Sequence, residues 1–114
     1  MKNVDLVILS PLFKVLEVSV DQLKCYIDNS EEFRISGSVS SKKKMPEGYV
    51  MIVKANLCDK DGGILYTLRD YFGFSFEMLE YDVFSMNCAD LSRFFDFEEL
   101  HHVELYPRLK KKDE

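Results

Sequence analysis

Tryptophan is absent from this 114-residue chain, proline appears three times, glycine five times and histidine twice. With two histidines at most, a histidine-rich metal centre is excluded. The three cysteines, Cys25, Cys58 and Cys88, are odd in number and show no CxxC spacing. That argues against a disulfide framework or a paired-thiolate zinc site and suits the reduced thiols of a cytoplasmic protein. Long apolar runs are missing too. None approaches the roughly 18–20 residues that a membrane-spanning helix needs. The opening "MKNVDLVILSPLF" is interrupted by Asp5 and ended by Ser10-Pro11, so it does not read as a secretory leader. The expectation is a cytoplasmic protein without a membrane span.

Positive charge is in deficit. The net charge is −5 and the pI about 5.1. An acidic chain repels a phosphate backbone unless it carries a strong basic patch. The two lysine-rich stretches, Lys42-Lys43-Lys44 and Arg108 with Lys110-Lys111-Lys112, lack interleaved aromatics for base stacking, so no nucleic-acid partner is expected.

What the chain does have is apolar and aromatic material: 46% hydrophobic residues, nine Phe and six Tyr. This supplies one core for a single domain spanning residues 1–114. The pattern is period-two almost throughout, the spacing of half-buried strands. Strands are expected over 13–20, 22–29 and 33–40, the last with Phe33, Ile35, Gly37 and Val39 on one face. Over 49–58, Tyr49, Met51, Val53, Ala55 and Leu57 share a face. Val50 and Ile52 open the opposite face, so the first half of that strand is expected to be covered on both sides. Further strands follow at 64–70, 72–78, 81–87 and 101–109, with Pro107 marking an edge or a strand end. "ADLSRFFDFEEL" alone has helical spacing, through Leu91, Phe94 and Phe95 with Asp90 as cap. The expected fold is an all-β, antiparallel immunoglobulin-like sandwich of about seven strands with one short helix near residues 90–100.

Three stretches, "ISGSV" at 35–39, "VMIVKANLCDKDGGIL" at 50–65 and "FSF" at 74–76, resemble the FxLYD type of immunoglobulin-like domain. Ala55-Asn56-Leu57-Cys58-Asp59 stands where that family has its aromatic-x-Leu-Tyr-Asp signature, and Leu57 and Asp59 match it. The resemblance implies a sandwich with no assigned activity. It also implies export or membrane attachment, against the cytoplasmic reading drawn from the missing leader.

Few residues suggest chemistry. Asp59-Lys60-Asp61-Gly62-Gly63 does not fit a calcium loop. Placing Gly62 at the required glycine puts leucines where the first and last ligands belong, and the flanking helices are missing. Asp-Gly-Gly between alternating runs is instead a hairpin turn. His101 and His102 would point to opposite faces of an extended segment and could not chelate one metal together. No metal or cofactor is expected. A thiol hydrolase would use Cys88 or Cys58 as nucleophile, His101 or His102 as base and Asp90 as orienter, but no oxyanion-hole turn accompanies them. The acidic Glu77, Glu80 and Asp82 read as a solvated turn. "YFGFSF" has the strongest binding character, and Phe94, Phe95 and Phe97 read as an end plug of the sandwich. Tyr71, Phe72, Phe74 and Tyr81 are the candidate contact residues for a protein partner or for self-association. The expected function is thus a non-catalytic interaction or structural module.

Overall fold

A computed structural model describes residues 2–41, 47–72, 81–89 and 91–111. In chain order the elements are β1 (Lys2–Asn3), β2 (Asp5–Ile8), α1 (Ser10–Val15), β3 (Val18–Ile27), β4 (Phe33–Ser41), β5 (Tyr49–Cys58), β6 (Ile64–Phe72), β7 (Tyr81–Cys88) and β8 (His102–Lys111). The protein is mostly β. Two four-stranded sheets form, ordered β1-β3-β4-β7 and β2-β8-β5-β6.

The alternation in the sequence becomes the core directly. Phe33, Ile35 and Val39 of β4, Met51, Val53, Ala55 and Leu57 of β5, Phe84 and Met86 of β7, and Val103 and Leu105 of β8 belong to one buried cluster. Both sheets therefore turn one face to the same apolar interior, as strand alternation requires. On β5 the opposite face is covered further than expected. Ile52, Asn56 and Cys58 are all buried, because β5 lies between β8 and β6 along its length. Asn56 is satisfied there, its Oδ1 accepting a 2.8 Å bond from the Thr67 hydroxyl.

Four details depart from the expected fold. The pairing is not wholly antiparallel, since β2 runs parallel to β8 from Asp5↔His102 to Ile8↔Leu105. Its neighbour β1 pairs antiparallel with β3, so one short N-terminal stretch is shared between the two sheets. Second, the strand expected at 13–20 forms only from Val18, where β3 begins. Ser10–Val15 is a single helical turn and a half with proline in its first turn, burying Phe13. Proline there forfeits no hydrogen bond, because the first helical N–H groups have no partner anyway.

Third, the expected helix near 90–100 is broken into two 3-10 turns, Leu91–Arg93 and Phe97–Glu99. Asp96 accepts the Glu98 N–H on its side chain and the Glu99 N–H on its carbonyl. A side chain bonding its own backbone in this way competes with helix continuation. The Phe residues divide accordingly: Phe95 packs on the core, whereas exposed Phe94 stacks on Tyr66 with ring centroids 4.8 Å apart.

Fourth, Pro107 lies inside β8, opposite Val53, and is buried. The Leu105 carbonyl points towards β2, where it accepts the Leu9 N–H. Position 107 has the same parity, so the N–H it lacks would have pointed past the end of β2 and away from β5. No ladder bond to β5 is lost.

Between β5 and β6 the Asp59–Gly63 segment is the hairpin turn that the sequence suggests. Asp59 Oδ1 accepts the N–H groups of Asp61 and Gly63 at 2.9 and 2.8 Å, and Gly62 adopts φ +86°. A side-chain cap and one left-handed glycine suffice to close it.

Candidate functional site

The candidate contact residues fall at the margins of the two sheets. β6 ends its sheet on one side of β5, and β7 ends the other sheet beyond β4. Their Cα atoms approach within 8 Å of one another, so among the described residues both sheets end on one side of the molecule. Tyr71 stands opposite Ile52 and Phe72 opposite Met51 at the end of β6, and Tyr81 pairs with Ser40 at the start of β7. Phe74, Glu77 and Glu80 lie outside the described residues, as do residues 73–80 in general. The strand expected at 72–78 therefore falls almost wholly in that segment. The remaining two edges are of another kind: β1 has two residues and β2 four.

The thiols and imidazoles lie elsewhere. Cys58, at the end of β5, pairs with His102. Its sulfur lies 3.5 Å from the Asn56 carbonyl and 3.5 Å from Glu104 Oε1. Burial, and then the neighbouring Glu104 carboxylate, push this thiol up to about 11. Cys25, on the core face of β3, is pushed up to about 12 by burial. Both are thiols at neutral pH, whereas nucleophilic cysteines need a stabilised thiolate. Cys58 thus has a carboxylate beside its sulfur, a neighbour that opposes thiolate formation. Cys88 is half-buried at the end of β7 with its sulfur 3.7 Å from the Ala89 carbonyl. Asp90, the proposed orienter, lies outside the described residues.

The two histidines do come together, contrary to the alternation argument. Their Nδ1 atoms are 3.0 Å apart and their rings meet edge to face. Strand β8 starts only at His102, so His101 is not bound to point the other way. One ring donates and the other accepts across that contact. Among the described residues no group of three or more His, Cys, Asp or Glu side chains is arranged to hold a metal ion.

The polar surface of the first sheet is organised around Asp28, just after β3. Its Oδ1 accepts the N–H groups of Ser30 and Glu32 and the Ser30 hydroxyl. Its Oδ2 accepts Arg34 Nε at 3.1 Å, and Arg34 also reaches Glu32. These donors, the Ser30 hydroxyl foremost, hold the Asp28 carboxyl far below the usual carboxylate range.

No helix among the described residues is long and apolar enough to cross a membrane. Comparison with protein-family models, with curated proteins and with solved structures finds no match.

Proposed function

We propose that this chain is a non-catalytic protein-interaction module on an immunoglobulin-like sandwich, engaging its partner, or a second copy of itself, along the side where β6 and β7 end their sheets. The observation that carries this reading is the unequal length of the four sheet margins. β6 and β7 have nine and eight residues, against two and four for β1 and β2. Long edge strands offer rows of backbone donors and acceptors that another strand can use, and proteins commonly blunt them when they serve no partner. Tyr71, Phe72 and Tyr81 occupy the ends of these two strands, and aromatic side chains dominate the energetics of many protein contacts.

The sandwich reading draws support from two sheets contributing to one core and from the N-terminal stretch divided between them. The non-catalytic reading draws support from the thiols, since two of the three are buried and shifted away from the reactive form.

The test is affinity capture from native cells with the tagged chain, followed by the mass of the intact complex. A Tyr71→Ser, Tyr81→Ser double variant should retain its melting temperature and lose the captured partner about tenfold or more, the effect of removing contact hot spots. A strictly monomeric chain that retains nothing specific overturns the proposal. So does a double variant that captures as well as the parent.

A further inference from the structure

The outer face of the second sheet gathers positive charge that the linear sequence disperses. Residues of even number on β8 and β5 alternate with the buried Val53, Ala55, Val103 and Leu105, and so share the face away from the core. In register across the sheet, Lys54 lies directly between Arg69 of β6 and Tyr106 of β8. One step along, Arg108 lies opposite Ile52, and one step further Lys110 lies opposite Val50. Four cations from three strands thus occupy neighbouring positions on a protein whose net charge is −5.

Two features set this face apart. Lys54 and Arg69 are like charges directly opposed across an antiparallel pair, an arrangement that destabilises a sheet. Twenty acidic residues were available to the chain, yet no ion pair among the described residues involves Lys54, Arg69 or Arg108. On the first sheet, by contrast, Arg34 is neutralised by both Asp28 and Glu32. Among the described residues, the repulsion is left standing on this face.

We infer that this face docks a short acidic segment of a partner protein, with carboxylates at alternate positions meeting Lys54, Arg69, Arg108 and Lys110. Alternate side chains on a strand recur about every 6.8 Å, the same step that separates Lys54, Ile52 and Val50 and their partners along this sheet. Arg69 and Arg108 present the planar donor forks that grip carboxylates in pairs. The patch extends over only three such positions, two steps along the sheet. Beyond it Glu104 follows on the same face, and Asp59, Asp61, Glu98 and Glu99, four carboxylates against the single lysine Lys60, line a cleft of about 530 Å³ at that end of the molecule. A long nucleic acid would run from the patch into these carboxylates, whereas an extended segment of about five residues fits within it. This inference shares β6 with the edge proposal through Arg69 but rests on charge and not on edge strands and aromatics, so the Arg69, Arg108 variant and the Tyr71, Tyr81 variant tell the two apart.

The experiment is fluorescence anisotropy with a labelled octapeptide of alternating Glu and Thr, a Lys and Thr counterpart, and a ten-nucleotide single strand, at low and at physiological salt. The Glu peptide should bind, weaken with salt, and lose at least tenfold in affinity to an Arg69→Glu, Arg108→Glu variant. A milder Lys54→Gln variant, which also removes the like-charge pair, should lose severalfold while melting no lower than the parent. Absence of measurable binding by the Glu peptide, unchanged binding by the reversed variant, or tighter binding of the oligonucleotide would each overturn the inference.

Discussion

Asp28 shows how much one side chain can organise. It follows β3 directly and gathers four donors, which keeps its carboxyl ionised well into acid. A carboxylate with a depressed native pKa stabilises the fold above its unfolded value, near 3.8, and that contribution disappears as pH falls through the native value. An Asp28→Asn variant should therefore unfold at lower urea concentration than the parent at pH 7. The gap should shrink steadily below about pH 4, where the parent loses its advantage. Parallel urea curves at pH 7, 4 and 2.5 decide this, and a gap independent of pH would refute it. The cysteines offer a second residue-scale prediction. With Cys25 and Cys58 pushed up to about 12 and about 11, only about one Cys58 in a thousand is thiolate at pH 8. Iodoacetamide on the native protein should label Cys88 at least tenfold faster than either, read by peptide mass mapping. Comparable rates at all three would mean the buried thiols are accessible and reactive.

At the scale of elements, β3 and β4 depend on a mutual accommodation at Gly37. The bulge between Asp21 and Lys24, with Gln22 at φ +53°, turns Leu23 towards β4. A Cβ at position 37 would lie 2.6 Å from Leu23 Cδ2 and 3.0 Å from Phe84 Cε1. The Gly37→Ala variant should cost about 1–3 kcal/mol, the usual range for overpacking a well-filled site. Pairing it with Leu23→Ala should recover part of that loss, because the closest clash is with a side-chain end. Four chemical denaturation curves give the coupling, and strict additivity would rule the contact out as the cause. Glycine on the core face of 33–40 was visible in the sequence. The bulge that demands it was not, since nothing in "VDQLKC" announces an extra residue until β4 is laid beside it. The same limit applies to "ADLSRFFDFEEL", whose helical spacing is genuine but yields to Asp96 bonding the following backbone.

The whole molecule depends on one interior shared by both sheets. Phe33 and Ile35 on β4 and Leu57 on β5 are wholly enclosed. Phe33→Ala should cost about 3–5 kcal/mol, the lost transfer energy plus the residual cavity. The loss should appear as a single cooperative transition shifted to lower denaturant, seen alike by circular dichroism and fluorescence. Two separate transitions would mean that the sheets do not share a core. Of the two proposed interaction surfaces, the aromatic stretch around 71–81 stands out in the sequence because consecutive residues carry it. The cationic face did not. Its members are spread over residues 54–110, and Arg108 and Lys110 read in sequence as a solvated basic run without an aromatic neighbour. Pairing with β5 sets Lys54 beside Tyr106 and the two cations next along the face.

Alternation between apolar and polar residues is carried by each segment alone, so the sequence by itself determined where β4 to β8 run, which faces they bury and where Asp59–Gly63 reverses the chain. Which strand lies beside which was decided only by the tertiary structure. The parallel β2–β8 pair, the tolerance of Pro107 and the meeting of His101 with His102 all depend on residues distant in sequence or on where a strand begins. A period of two constrains a side chain's direction and is silent about its neighbour.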